Sequence, residues 1–126
     1  MHTVLLVAGA GAFGALGRYG VSVLATRWLP ADFPYGTLIV NVIGCLLLGF
    51  VTEWAMSVPA LSRHLRLAIG TGFLGSFTTF STFGVETVTL VERGHWGAAL
   101  ANVGLNLVVG LGCAGLGMAA ARTFFE

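Results

Sequence analysis

Aromatic rings and hydroxyl groups alternate in residues 72–86, which read GFLGSFTTFSTFGVE. The phenylalanines recur at close to helical spacing: Phe73, Phe77, Phe80 and Phe83. Threonine and serine hydroxyls lie between them, and Glu86 follows on the same side, at the end of the track. A phenyl ring carries partial positive charge at its edge. Ring edges and hydroxyl donors can together replace the water around a small anion without holding it tightly. The segment therefore predicts an anion path.

Amide donors occur in two other apolar segments. Asn41 shares a helical stripe with Thr37 and Gly44, and a longer stripe contains Asn102, Asn106, Gly110, Cys113 and Gly117. An unsatisfied amide in hydrocarbon is costly, so Asn41 either bonds to a neighbouring helix or donates its N–H groups to an anion. We expect the polar or small faces of these helices to meet.

Arg18 is a charged residue within the first apolar segment, on the same helical face as Gly11 and Gly14. An arginine near membrane depth usually faces a cavity, a partner or the interface. Two interpretations stay open: a positive charge near the mouth of an anion path, and a side chain that snorkels to the membrane surface.

The composition indicates a membrane environment. Of the 126 residues, 56% are hydrophobic and 9% are charged, and the sequence contains no lysine. A soluble domain carries about 25% charged residues, whereas a helix crosses a membrane in roughly 20 apolar residues. We predict an all-α integral membrane protein, formed by a single domain over residues 1–126. Four spans are predicted, at about 3–26, 37–58, 66–91 and 95–121.

The third span is expected to be a broken helix. Gly70, Gly72 and Gly75 precede the cluster of threonine and serine residues, and both features weaken a continuous helix. At membrane depth, a broken helix is tolerated only where it is buried in protein or lines a wet cavity. The break also frees backbone carbonyls that can hold a cation.

Charge does not fix the orientation of the chain. Alternating spans place Arg63, Arg66 and Arg122 on one side, and Arg27 and Arg93 on the other, joined by Arg18 if it snorkels that way. The positive-inside rule needs a clear excess, which is absent. The chain can therefore insert both ways up, so an antiparallel dimer is possible. A two-fold assembly is also the simplest way to enclose a pore.

The sequence has no catalytic signature, and its one match to a nucleotide-binding motif is weak. Gly9, Gly11 and Gly14 form a G-x-G-x-x-G array, but no alternation of strands and helices follows, so close packing of membrane helices is favoured. Sequence signatures of hydrolases, zinc proteases and redox thiols are absent. We expect neither an enzyme nor a nucleic-acid partner, and a multi-pass location in a prokaryotic inner membrane.

The segment GFLGSFTTFSTF at residues 72–83 strongly resembles the signature of the small Fluc-type fluoride channels, also called camphor-resistance-like (CrcB) proteins. The resemblance covers the whole chain. It includes GRY in the first span, GTLIVN in the second, a glutamate after the signature and a glycine-rich fourth span. It implies an antiparallel, dual-topology homodimer in the lipid bilayer. Its two pores, each lined by both subunits, export fluoride passively from the cytoplasm.

The resemblance also implies roles for single residues. By motif position, Phe80 and Phe83 correspond to the ring-edge fluoride contacts and Asn41 to the pore asparagine. Ser81 and Thr82 are the neighbouring hydroxyls, and Glu86 is the carboxylate near the exit. Gly75 and Thr78 match the positions whose backbone carbonyls hold a structural sodium ion at the dimer centre. Arg18 corresponds to the arginine of the first span, with its role left open.

The chain departs from the family pattern at two places. Ser76 stands where glycine is often seen, and the fourth span has Asn102 and Asn106 followed by glycines where hydroxyls are frequent. We expect Asn106 to be the contribution of the fourth span to the pore.

The alternatives are a small four-span, proton-coupled exporter of cationic or guanidinium compounds, and a non-transporting assembly protein. An exporter of that kind needs a carboxylate embedded in the membrane, typically in the first span, where this chain has Arg18. An assembly protein has no need of the aromatic and hydroxyl track.

Overall fold

A computed structural model describes residues 1–125, and every regular element in that range is helical. Two long helices come first, α1 (His2–Trp28) and α2 (Tyr35–Ser57). The third segment consists of α3 (Arg63–Leu67), a π-helical stretch (Ala68–Leu74), α4 (Gly75–Phe77) and α5 (Phe80–Glu92). The fourth consists of α6 (Trp96–Gly104), a second π-helical stretch (Leu105–Val109) and α7 (Gly110–Phe125).

Three of these helical segments are long and apolar enough to cross a membrane: His2–Trp28, Tyr35–Ser57 and Trp96–Phe125. Their mean hydropathies are 1.5, 1.9 and 1.8. The all-α prediction is confirmed, and the chain is a multi-pass membrane protein. The division into four spans at the predicted boundaries stays a prediction, and Glu126, the last residue of the predicted domain, lies outside the described range.

Glycines bring α1 close to the third segment. A Cβ atom on Gly14 would overlap the backbone of Phe73, and one on Gly11 would lie 3.1 Å from the Ser76 hydroxyl oxygen. The packing interpretation of the G-x-G-x-x-G array is therefore confirmed at these two glycines, whereas a Cβ atom on Gly9 would meet no other segment within 4 Å.

Helices α2 and α7 pack backbone against backbone in the same way. A Cβ atom on Gly49 would overlap the backbone of Ala114, and one on Gly117 would overlap the Leu46 carbonyl. Farther along, Glu53 accepts a salt bridge of 3.0 Å from Arg122. Cys45 faces Gly110, Gly49 faces Ala114 and Glu53 faces Arg122. The contacts therefore advance together along both helices, which run parallel and are joined near their ends by an ion pair.

The direction of the chain alternates from one segment to the next. Thr37 bonds to Glu86 and Asn41 bonds to Thr79, so α2 runs antiparallel to the third segment. That segment runs parallel to α1, because Gly11 and Arg18 contact Ser76 and Thr78 in the same order. This up-and-down arrangement places the polar stripe of α2 against the interruption between α4 and α5.

The close approach of α2 and α7 yields a stability test. We expect Gly117→Ala to lower the free energy of unfolding by about 1–3 kcal/mol, because the new methyl group overpacks against the Leu46 carbonyl. Gly115→Ala in the same helix is the matched control, since its Cβ meets nothing within 4 Å. The melting temperatures of both variants in detergent are measured by size-exclusion chromatography after heating. Equal melting temperatures would contradict the packing account.

Candidate functional site

The helix of the third segment is interrupted at two threonines. Thr78 and Thr79 have extended backbones, with φ/ψ of −85°/162° and −154°/113°. Thr79 also begins the next helix, because its hydroxyl oxygen accepts a hydrogen bond of 3.2 Å from the Thr82 N–H. Threonine is favoured at this capping position. The break expected from the threonine and serine cluster therefore lies at Thr78 and Thr79.

The Asn41 side chain bonds to both backbone groups of Thr79 at the break. The Thr79 N–H donates to Oδ1 of Asn41 at 2.8 Å, and Nδ2 of Asn41 donates to the Thr79 carbonyl at 3.1 Å. In a continuous helix, the Thr79 N–H would bond to the Gly75 carbonyl. The asparagine side chain thus satisfies both backbone groups of Thr79, which is 7% exposed.

Gly44 allows α2 to come this close to the break. A Cβ atom at Gly44 would overlap the Thr78 methyl group. Gly44 lies one helical turn after Asn41, so the small residue and the amide on this stripe act on the same two threonines. The polar and small stripe predicted for the second span therefore faces the break.

A chain of amides continues from Asn41 into the fourth segment. Nδ2 of Asn41 donates to Oδ1 of Asn106 at 2.9 Å, and Nδ2 of Asn106 donates to the carbonyl and the Oδ1 of Asn102 at 2.9 and 3.0 Å. Backbone atoms fix the orientation of two amides, because Thr79 N–H must face an oxygen and the Asn102 carbonyl must face a nitrogen. In this arrangement both asparagines donate to protein acceptors. Donation from Asn41 or Asn106 to an anion stays a prediction.

The two signature phenylalanines lie next to each other after the break. The ring centroids of Phe80 and Phe83 are 5.5 Å apart, with 57° between the ring planes. Phe83 is 8% exposed, whereas Phe80 is 80% exposed on the single chain. Ser81 and Thr82 are exposed beside Phe80. This part of α5 therefore presents one aromatic ring and two hydroxyls on the surface of the subunit.

The hydroxyl groups around the break form a cluster of their own. The Thr79 hydroxyl donates to the Thr82 hydroxyl at 2.9 Å and lies 3.4 Å from the Ser81 hydroxyl. Hydroxyls rotate to donate or accept as their surroundings require. The cluster can therefore offer donors to an anion beside the two rings.

Glu86 lies where the predicted track ends. Its Oε1 accepts a hydrogen bond of 2.8 Å from the Thr37 hydroxyl, and its Oε2 is buried without a partner in the described chain. The carboxylate lines a cavity of about 330 Å³ whose wall also includes Asp32 and Arg93. A buried carboxylate oxygen requires a donor, and a cavity of this size with polar groups in its wall admits water that can supply one.

Arg18 reaches the break from α1. Its Nη1 lies 3.5 Å from the Thr78 carbonyl, and the residue is half-buried. The contact brings a positive charge next to the interruption. The role of Arg18 as a positive charge near the mouth of an anion path stays a prediction, as does the snorkelling interpretation.

The break removes the helical hydrogen-bond donors of the Gly75 and Thr78 carbonyls, the two groups expected to hold a cation. The Thr79 N–H bonds to Asn41 instead of Gly75, and the Thr82 N–H bonds to the Thr79 hydroxyl instead of Thr78. Over residues 1–125, no group of histidine, cysteine or carboxylate residues can hold a metal. The chemistry of the two carbonyls fits a hard monovalent cation, so the sodium prediction is consistent with the local backbone.

Two residues of the site, Asn102 and Thr87, were not assigned a role from the sequence. Asn102 is 0% exposed, and its Nδ2 donates to the Thr87 hydroxyl at 2.9 Å. The sequence did place Asn102 on a polar stripe. Thr87 is visible in the sequence as a hydroxyl residue in the helical stretch VETVTL. Threonines that bond back to the preceding helical turn are too common for this to identify a functional residue.

Comparison with known proteins places this site in a family. Residues 5–118 match the family model described as "CrcB-like protein, Camphor Resistance (CrcB)". The chain belongs to this family. The resemblance found in the signature is thus confirmed, and with it the expectation that the chain is not an enzyme.

Curated relatives named "Fluoride-specific ion channel FluC" are similar to the chain over most of its length. The relative from Sorangium cellulosum is 50% identical over 112 residues, covering 89% of this chain and 88% of the relative. The one from Syntrophotalea carbinolica is 49% identical over 122 residues, covering 97% and 98%. The one from Dehalococcoides mccartyi is 45% identical over 111 residues, covering 88% and 85%.

Proposed function

We propose that this protein is a fluoride channel that lets fluoride leave the cytoplasm passively, down its electrochemical gradient. The observation that carries the proposal is the ring pair Phe80 and Phe83 beside the hydroxyl cluster of the broken helix. It occurs in a chain that is 45–50% identical to relatives named as fluoride-specific channels. The same family membership leaves the proton-coupled exporter of cationic or guanidinium compounds without support.

Fluoride loses its water gradually along this path. Ring edges of Phe80 and Phe83 face the ion with partial positive charge, and the hydroxyls of Ser81 and Thr82 donate hydrogen bonds. Neither kind of group carries a full positive charge, so the ion is held weakly enough to leave.

Asn41 contributes to the path when one of its N–H groups changes its acceptor from Asn106 to fluoride. One of its N–H groups donates to the side-chain oxygen Oδ1 of Asn106 at 2.9 Å. An arriving fluoride takes the place of that oxygen as acceptor, while the bonds between Asn41 and Thr79 keep the break in shape. Asn106 is then the residue that gives way, and it restores the amide bond once the ion has passed.

Glu86 marks the end of the path. Its bond with Thr37 fixes one carboxylate oxygen, and the adjoining cavity of about 330 Å³ has room for water. Repulsion between the carboxylate and fluoride favours departure of the ion into this water, where its hydration shell is restored.

The assembly that we propose is an antiparallel homodimer with dual topology and two pores, built from four spans per subunit. Phe80 is 80% exposed on the single chain and has two exposed hydroxyls beside it. Polar groups at membrane depth need cover from protein or water, and a second subunit provides it. The alternating direction of the helical segments and the balanced arginines are consistent with four spans inserted both ways up.

A structural sodium ion at the dimer centre forms part of the same proposal. The Gly75 and Thr78 carbonyls would hold it, and Gly75 is exposed on the single chain, where a second subunit can bring the same carbonyls near. A carbonyl oxygen has two lone pairs, so the contact of Thr78 with Arg18 leaves one for the cation. The bound cation would be coordinated by carbonyl oxygens that the break has left without helical donors.

Substitution of the ring pair tests the proposed function. In liposomes loaded with potassium fluoride, valinomycin balances the charge and a fluoride electrode follows efflux. We expect Phe80→Ile and Phe83→Ile each to slow efflux about tenfold, the rate equivalent of an aromatic contact of about 1.4 kcal/mol. Loaded chloride should stay inside with the wild-type protein.

Phe124→Ile is the control for the ring pair. Phe124 is 77% exposed near the end of α7, in the same chain but away from the break, so this variant should match the wild type. Wild-type rates in both ring variants, or wild-type efflux that requires a proton gradient, would contradict the channel proposal.

Labelling in native membranes tests dual topology. In a Cys45→Ala, Cys113→Ala background, Ala31→Cys places one thiol in the connection between α1 and α2. We expect an impermeant maleimide to label this thiol from both faces of the inner membrane to similar extents, because loop charge does not favour one orientation. Labelling from one face alone would rule out dual insertion.

A further inference from the structure

The hydrogen-bond chain that starts at the break returns to the helix it left. The Thr79 N–H donates to Asn41, Asn41 to Asn106, Asn106 to Asn102, Asn102 to Thr87, and the Thr87 hydroxyl to the Phe83 carbonyl. We call this closed path the amide circuit. The bonds are 2.8, 2.9, 3.0, 2.9 and 2.8 Å long. The circuit therefore encloses the first turn of α5, which carries Phe80 and Phe83.

Every bond of the amide circuit points in the same direction, from the Thr79 N–H to the Phe83 carbonyl. Chains of hydrogen bonds aligned in this way polarise and strengthen one another. Asn102 is the buried centre of the circuit, with 0% of its surface exposed. An amide so deeply buried is costly unless its groups are bonded, and here its carbonyl oxygen accepts from Asn106 while its nitrogen donates to Thr87.

The Thr87 hydroxyl determines how the Phe83 carbonyl is held. Thr87 lies four residues after Phe83 and donates to its carbonyl at 2.8 Å. A threonine that bonds back to the preceding turn can adopt more than one rotamer and locally bends the helix. The Asn102 N–H, bonded to the same hydroxyl oxygen, selects one of these arrangements. The backbone that carries the Phe83 ring is thereby fixed relative to Phe80 and the break.

We propose that Asn102 and Thr87 are positioning residues that set the selectivity of the channel for fluoride over larger halides. The inference rests on the proposed function and deepens it. Neither residue touches the ion in this account. They act by holding the spacing of the Phe80 and Phe83 rings, which are 5.5 Å apart and meet at 57°. A looser ring pair admits a larger anion. Loss of either residue should therefore lower the selectivity for fluoride over larger halides more than it disturbs folding.

The competing interpretation is that Asn102 and Thr87 only join α6 to α5. The two interpretations differ for the double variant Asn102→Leu, Thr87→Val. Replacing both partners of a buried hydrogen bond by apolar groups is nearly neutral for stability, and Asn106 keeps its hydrogen bond of 2.9 Å to the backbone carbonyl of residue 102. If the pair is purely structural, the double variant should therefore regain both the stability and the selectivity of the wild type. If the pair positions the Phe83 ring, the double variant regains stability but not selectivity, because the Phe83 carbonyl still lacks the Thr87 hydroxyl as its donor.

The test compares fluoride and chloride efflux from the same liposomes. We expect Thr87→Val to lower the ratio of the two rates about tenfold, since a small misplacement of binding groups can cost up to about a hundredfold. Thr87→Ser keeps the hydroxyl and should keep the wild-type ratio. The double variant should keep the lowered ratio although its melting temperature recovers. Monodisperse elution confirms that each variant is folded.

Thr123→Val is the matched control. Thr123 also bonds back to the carbonyl four residues before it, Ala119, but it is exposed and lies far along α7. Its ratio should equal that of the wild type. An unchanged ratio in Thr87→Val, a lowered ratio in Thr87→Ser, or a wild-type ratio in the double variant would overturn the inference. If Asn102→Leu does not fold, the two Thr87 variants decide. A wild-type protein that passes no fluoride would instead refute the proposed function itself.

Discussion

The site depends on one constraint: backbone groups exposed by a broken helix inside a membrane must find partners within the protein. Thr79 has such groups, and a single side chain of α2 serves both of them. Asn41 accepts from the Thr79 N–H and donates to its carbonyl, at 2.8 and 3.1 Å. Because Asn41 replaces the helical partner of the Thr79 N–H, the chain can turn at Thr78 and Thr79 and begin a new helix with Phe80 at its start.

Close packing of the helices is what brings Asn41 to the break. Gly44 lets α2 approach the Thr78 side chain, and Gly14 lets α1 approach the backbone of Phe73. A Cβ atom at either position would overlap the neighbouring segment. In lipid, small residues are the usual means by which helices approach each other. The numerous glycines therefore determine the geometry of the polar site as well as the packing of the fold.

The sequence predicted the features that depend on local chemistry. The helical class, the break at the threonine cluster and the family all followed from the residues at 72–86 and from the apolar composition. The pairing of amides could not be predicted, because it depends on how closely α2 approaches the fourth segment. For the same reason, no sequence pattern indicated that Phe83 is buried whereas Phe80 is exposed, or that Thr87 and Asn102 bond to each other.

The π-helical stretches were also not predicted. One precedes the break at Ala68–Leu74, and the other contains Asn106 at Leu105–Val109. Each is a wider turn that rotates the following residues relative to a regular α-helix. Propensity does not distinguish such turns from an ordinary membrane helix, because leucine, valine and glycine occur in both. Both stretches lie next to the site, where tertiary contacts and not local preference determine the backbone.

Fluoride efflux and thermal stability of Asn41→Leu test the central claim most directly, with Thr52→Val on the exposed side of the same helix as control. The leucine removes every bond of Asn41 to the Thr79 backbone. We predict a loss of about 1–3 kcal/mol in the free energy of unfolding and efflux reduced by about a hundredfold, whereas the control should match the wild type. A folded Asn41→Leu protein that passes fluoride at the wild-type rate would contradict the account.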